Sequence, residues 1–272
     1  MIYLLYRMLN FVDTIIMALI GLFAGMMIGL SGASGAAIMV SLLYLAVGFS
    51  IHESIGVSLL ANAIASLSVF LVYYRNKNVD FSPCIWLAAG SIPGSQAGAF
   101  VGKLTPETQL GGILGVAMIL IGILLWKKGM EREKLIRRLN KMLRIRNPIT
   151  KKILSVAVGV WVGIMSGLFG ASGGMWFLMV LLLFGLPLHK SVGSAVFLMS
   201  ITAGCATVAH YMYGNVNVIA GIIVGLGAMI SGNISARFAN RSTEKRLIKA
   251  VALVTSILGV LIILTKFVIP RL

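Results

Sequence analysis

The chain has 272 residues, 59% hydrophobic and only 11% charged, a balance that excludes a soluble globular domain of this size. A formal charge of +16 raises nucleic acid as a partner, but the lysines and arginines sit almost entirely in short stretches between apolar runs, which is the placement of topology-setting charge. Cys84 and Cys205 lie in or beside apolar runs without CxxC spacing, so neither a disulfide framework nor a metal site is indicated, and no cofactor is expected.

Met1 to Thr14 carry one arginine and no clear small-residue cleavage site, and read as mature protein rather than as a signal peptide. Apolar stretches long enough to enter or cross a bilayer then follow one another from Thr14 to Trp126. The first, residues 15–48, is broken at its middle by Gly32-Ala33-Ser34-Gly35; plain helices are expected over about 54–74, 83–102 and 109–126. Residues 127–152 form a basic segment with Lys127, Lys128, Arg132, Lys134, Arg137, Arg138, Lys141, Arg144, Arg146, Lys151 and Lys152 against Glu131 and Glu133. The plan then repeats: an interrupted unit over 153–185, broken at Gly170-Ala171-Ser172-Gly173-Gly174, and helices over about 192–212, 218–236 and 247–265.

The repeat is written in the residues. Gly21, Gly25, Met27, Gly29, Leu30 and the GASG tetrapeptide at 32–35 recur at an offset of 138, as Gly159, Gly163, Met165, Gly167, Leu168 and GASG at 170–173. After a one-residue gap the register resumes at 137, so that Gly48, His52, Ser54, Gly56, Tyr74, Asn78, Glu107 and Leu110 become Gly185, His189, Ser191, Gly193, Tyr211, Asn215, Glu244 and Leu247. The expected organisation is therefore a first transmembrane repeat (1–126), a basic cytoplasmic linker (127–152) and a second transmembrane repeat (153–272).

Each interrupted unit is either one over-long kinked span or a helical hairpin that returns to its starting side. Positive charge favours the hairpin. It puts Arg75, Lys77, Lys190 and the cluster from Arg237 to Lys249 inside with the linker and leaves only Arg7, Lys103, Lys266 and Arg271 outside. The odd number of crossings per half then makes the fold class an all-α polytopic protein of two inverted-topology repeats in the cytoplasmic (inner) membrane, with both termini outside.

A backbone break inside hydrocarbon leaves amide groups that only protein, water or a ligand can satisfy. Gly32, Ala33, Ser34 and Gly35, with Gly170, Ala171, Ser172, Gly173 and Gly174, are therefore candidates to bind an anion at helix starts, the serine hydroxyls adding donors. The competing reading is tight helix packing by small residues. Ser58 and Asn62, four apart with Ser66, share one helix face, and the counterpart helix offers Ser194; Gln96 and Asn233 correspond at an offset of 137 and suit either a lining role or a bond to a neighbouring carbonyl. His210, whose counterpart is Tyr73, and the loop residues His52 and His189 are candidates for gating or proton coupling. Tyr73, Tyr74, Tyr211 and Tyr213 are expected in the interfacial aromatic belt. Gly90, Gly94, Gly98 and Gly102 make a close-packing face, within the protomer or in a homodimer.

The glycine-rich first segment followed by HESIGVSLLANAIAS, the YYRNKNVDF stretch, SIPGSQAGAFVGKLTPETQL, and the echoes HKSVGSAVFLMS, HYMYGNVNV and MISGNISARFANRSTEKRL resemble the TauE/SafE family of sulfite and organosulfonate exporters over nearly the whole chain. That resemblance implies a membrane permease for sulfite, sulfonates or related sulfur-containing anions. The sequence departs from the family pattern in the Ala and Ser of GASG and in Val57 and Ala195, where many members look like A-x-G-T-S. The reading for function is export of a small anion by alternating access at a midplane site, in a chain that is not an enzyme. The shortage of acids within the spans weighs against a carboxylate proton relay. The alternative is an intramembrane serine hydrolase, with Gly170-Ala171-Ser172-Gly173 as its G-x-S-G and His210 as base.

Overall fold

In the computed structural model, residues 11–32, 34–107, 109–110 and 148–241 are described; the expected helices over 109–126 and 247–265 and most of the basic linker lie outside them. All regular structure among these residues is helical: α1 (Phe11–Ser31), α2 (Ala36–Leu42, continued by a π-helical turn Leu43–Val47), α3 (Ile51–Arg75), α4 (Cys84–Leu104), α5 (Pro148–Phe169), α6 (Gly174–Leu183), α7 (Leu188–Met212) and α8 (Val218–Arg241). Five of these helices (α1, α3, α5, α7 and α8) are long and apolar enough to cross a membrane, while α2 and α6 are too short. α4 is not among the five, although its 21 residues match α1 in length.

Local chemistry fixes the boundaries. Ser50 opens α3 by accepting the Glu53 N–H at 3.1 Å, and α5 begins at Pro148, so the last residues of the basic segment are helical. α3 and α7 end in the same way. Positive φ at Lys77 (57°) and Gly214 (74°) turns the chain, and the N–H groups of Asn78 and Asn215 cap the Tyr73 and His210 carbonyls at 2.9 and 3.0 Å.

The helices pack by exchange between the halves. α1 lies along α8, and α4 along α5, with glycines letting the backbones touch. A methyl group on Gly25 would sit 2.0 Å from the Ala228 carbonyl oxygen, and one on Gly163 would sit 2.4 Å from that of Ser91. α3 and α7 run antiparallel at the centre: Gly56 rests on the Asn215 carbonyl and Gly193 on the Asn78 carbonyl, the same contact made twice. Two further bonds repeat across the halves. Gln96 of α4 donates to the Cys205 carbonyl of α7 at 2.7 Å, and Asn233 of α8 donates to Ser68 of α3 at 2.7 Å.

These contacts define two ends. At one, Lys103 lies over the Tyr213 ring at 4.6 Å and Asn217 donates to Glu53 at 3.2 Å. At the other, Asn78 donates to Asn240 at 2.6 Å, His189 meets the Ala239 carbonyl at 3.2 Å, Lys152 lies over Trp86 and Lys151 over Phe184. The second end gathers Arg75, Lys77, Lys151, Lys152 and Lys190; among the described residues the first end has Lys103. α1 starts at the lysine-poor end, beside Val224, and reaches Ser235 near the lysine-rich end; α3 begins again at the lysine-poor end, so the chain reverses at the first break. The second unit starts with α5 beside Leu87 at the lysine-rich end and reverses likewise, since α7 begins at that same end.

Candidate functional site

The two breaks are made by left-handed glycines. Gly32 (φ 62°) and Gly170 (φ 70°) stop α1 and α5, their N–H groups making the last helical bonds to Ile28 and Ser166, each 2.9 Å. The next carbonyls, of Gly29 and Gly167, find partners from the second long helix of the same half. The Tyr73 hydroxyl donates to Gly29 at 2.9 Å, and His210 Nε2 meets the Gly167 oxygen at 2.7 Å. Facing a carbonyl, Nε2 must carry the hydrogen, which leaves Nδ1 of the neutral ring as a lone pair; that atom is buried without a partner. Tyr73, expected in the aromatic belt, is instead fully buried because it caps a helix end, whereas Tyr74 and Tyr211 are exposed.

The tips beyond the glycines meet. Ser34 and Ser172 are hydrogen-bonded hydroxyl to hydroxyl at 2.7 Å, and the Asn62 amide of α3 donates to Ser172. Ser172 and Asn62 are fully buried. Gly174 sits against the Gly32 carbonyl oxygen, Gly35 against Ala24, and Gly170 against Ser58 and Ile55, so a side chain at any of them would collide. Ala33 lies outside the described residues.

Ser172 accepts from the Asn62 amide and Ser34 from the Ala36 N–H at 3.1 Å, and one of the two hydroxyls donates to the other. Whichever serine donates, the proton of the accepting hydroxyl is left over as a donor. Close by, α6 makes its first helical bond at Phe177, whose N–H reaches Gly173 at 3.0 Å; the N–H groups of Gly174, Met175 and Trp176 precede it and have no partner within the helix. Donors converging on two helix starts suit an anion. The Asn62 Oδ1 atom is buried with no partner.

Other candidates lie elsewhere. Ser194 is bonded to both backbone groups of Asp80, near the start of α7 and away from the serine pair. Gln96 and Asn233 act as an equivalent pair, but as clamps between α4 and α7 and between α8 and α3. His189 binds the Ala239 carbonyl at the lysine-rich end. His210 is held on Gly167 and forms no bond to Ser172, so the two do not make a nucleophile–base pair. A cleft of about 370 Å³ lined by Ala63, Ile64, Leu67, Ser200, Ile201 and Gly204 is apolar; on α3 it occupies the face turned away from Asn62. Among the described residues no group of three or more His, Cys, Asp or Glu side chains comes together that could hold a metal. Ser54 and Ser166 were not among the expected site residues, and the spacing of Ser54, Ser58 and Asn62 by four was the available signal for the first; Tyr73 was paired with His210 by offset, without a signal for its capping bond.

Residues 17–262 match the family described as sulfite exporter TauE/SafE. The chain is 30% identical over 270 residues to the probable membrane transporter protein YunE of Bacillus subtilis (strain 168), covering 92% of this chain and 96% of that protein. It is 26% identical to the probable membrane transporter protein YjnA of the same organism (83% and 92% covered) and 26% identical to YdhB, also a probable membrane transporter protein (88% and 96%). No solved structure matches it.

Proposed function

The chain belongs to the sulfite exporter TauE/SafE family, a family of multi-pass membrane transporters, and from that premise we propose that it exports a small oxyanion, sulfite or an organosulfonate, at a site built by the two chain breaks. The observation that carries this reading is the Ser34–Ser172 hydrogen bond fed by Asn62: two breaks 138 residues apart converge, and their leftover donor suits a negative charge. An oxygen of pyramidal sulfite or of a tetrahedral sulfonate head accepting from Ser34, Ser172 and the N–H groups that open α6 would replace the bond the serines make with each other.

Inverted repeats are part of the proposal. What supports them is the recurrence of each contact at the matching position, with α3 and α7 antiparallel, and the gathering of basic residues at one end, which is then cytoplasmic. Because the serines touch one another, the site is closed in this state, and alternating access means parting them toward one end at a time.

Thermal unfolding of the purified protein in a series of anions tests the reading. Sulfite or a small sulfonate raises the midpoint in a concentration-dependent way and chloride does not; a protein indifferent to every sulfur oxyanion rules the reading out.

A further inference from the structure

The two halves share a backbone plan but not a polar one. Buried side-chain atoms without a hydrogen-bond partner occur among the described residues at His52 Nδ1, Ser54 Oγ, Asn62 Oδ1, Ser166 Oγ and His210 Nδ1. Asn62 belongs to the serine site; the other four all lie between that site and the lysine-poor end. Ser54, Ser58 and Asn62 form a ladder with four-residue spacing on α3, and the break at Gly170 faces the Ser58 rung, with Ile55 beside it. Ser166 immediately precedes Gly167, whose carbonyl holds His210, and His52 stands in the first turn of α3, whose start packs against the end of α7 that carries His210.

The matching positions toward the lysine-rich end are sealed. His189 is bonded to Ala239, Ser191 to Leu186 and Tyr73 to Gly29. The positions corresponding to Ser58, Asn62 and Ser166 are Ala195, Met199 and Ile28, all buried and apolar. A buried hydroxyl or imidazole left without a partner in a close-packed interior is a place where water or a solute completes the bonding. Four on one side and none at the equivalent sites is a directional pattern.

We infer that Ser54, Ser58, Ser166, His52 and His210 line a polar half-path joining the serine site to the lysine-poor end, along which the anion leaves, while in this state the opposite half is shut by side-chain bonds and apolar packing. This rests on the proposed anion site. The hydroxyls of Ser54 and Ser166 offer rotating donors along the route, and the free Nδ1 of His210 meets a solute through water or through a proton of its own.

Thiol labelling tests the path without relying on sulfite binding. In a background carrying Cys84→Ala and Cys205→Ala, single variants Ser54→Cys and Ser166→Cys are compared with Ile28→Cys and Ser191→Cys, using a membrane-impermeant, sulfonate-bearing methanethiosulfonate; Lys103→Cys and Lys190→Cys report sidedness. Ser54→Cys and Ser166→Cys are expected to react from the lysine-poor face at least about tenfold faster than either control position reacts from either face. Equal reactivity, or none at Ser54 and Ser166, overturns the path. As a second measurement, Ser166→Ile and Ser54→Val should lower sulfite flux in proteoliposomes about tenfold while sulfite still stabilises the protein; unchanged flux overturns it. Loss of sulfite stabilisation in the unsubstituted protein would instead strike the anion site, with the labelling pattern free to stand.

Discussion

At the scale of single residues the serine pair has consequences that separate binding from folding. A hydrogen bond to a charged group is worth about 1.5–3 kcal/mol, so Ser172→Ala or Asn62→Leu should weaken sulfite binding roughly tenfold or more, read from the concentration that half-saturates thermal stabilisation. Transport should survive Ser172→Ala at reduced affinity, since the α6 N–H groups remain; complete loss of every activity in that variant would favour hydrolase chemistry. The capping of the two helix ends is a separate matter. Tyr73→Phe leaves the Gly29 carbonyl, and His210→Phe the Gly167 carbonyl, buried without its donor, at a cost of about 1–3 kcal/mol each. An unchanged melting temperature in both variants would show that these caps do not matter. The duplicated GASG was legible in the sequence, and so was the pairing of Tyr73 with His210. Their bonds were not, because they depend on how far each tip passes the helix beside it.

At the scale of elements, the glycines of α1 and α5 form ridges against α8 and α4, and an added methyl has nowhere to go. Gly25→Ala and Gly163→Ala should each lower stability by about 1–3 kcal/mol, whereas Gly204→Ala, where an added methyl meets nothing within 4 Å, should stay within about 0.5 kcal/mol. Comparable midpoints for all three in detergent melts would contradict the packing account. Apolar runs and caps located the long helices to within a few residues: 54–74 became Ile51–Arg75, and 218–236 became Val218–Arg241. The π-helical turn at Leu43–Val47 had no such signal, since the apolar run there continues unbroken. Gln96 and Asn233 were legible as a pair by offset, yet only packing decides that an amide clamps a neighbouring helix instead of facing a solute.

For the whole molecule, export of an anion needs no partner ion when the cell interior is negative. A potential of 100 mV is worth about 2.3 kcal/mol per charge, roughly fiftyfold in distribution for a monovalent species. Sulfite efflux from proteoliposomes should therefore speed up when a valinomycin-clamped potassium gradient makes the compartment behind the lysine-rich end negative, and slow when the sign is reversed; indifference to sign would remove electrogenic efflux. The two halves could be read from residue offsets of 138 and 137, but their mutual placement could not, because nothing in a linear repeat says which copy a glycine ridge will meet. The ridge of α1 nests in α8 and that of α5 in α4, so each half keeps its own first and third helices apart and lends one to the other. A polypeptide holding a single repeat would thus carry both a key and a lock that it cannot turn on itself, and would be complete only when docked onto its twin.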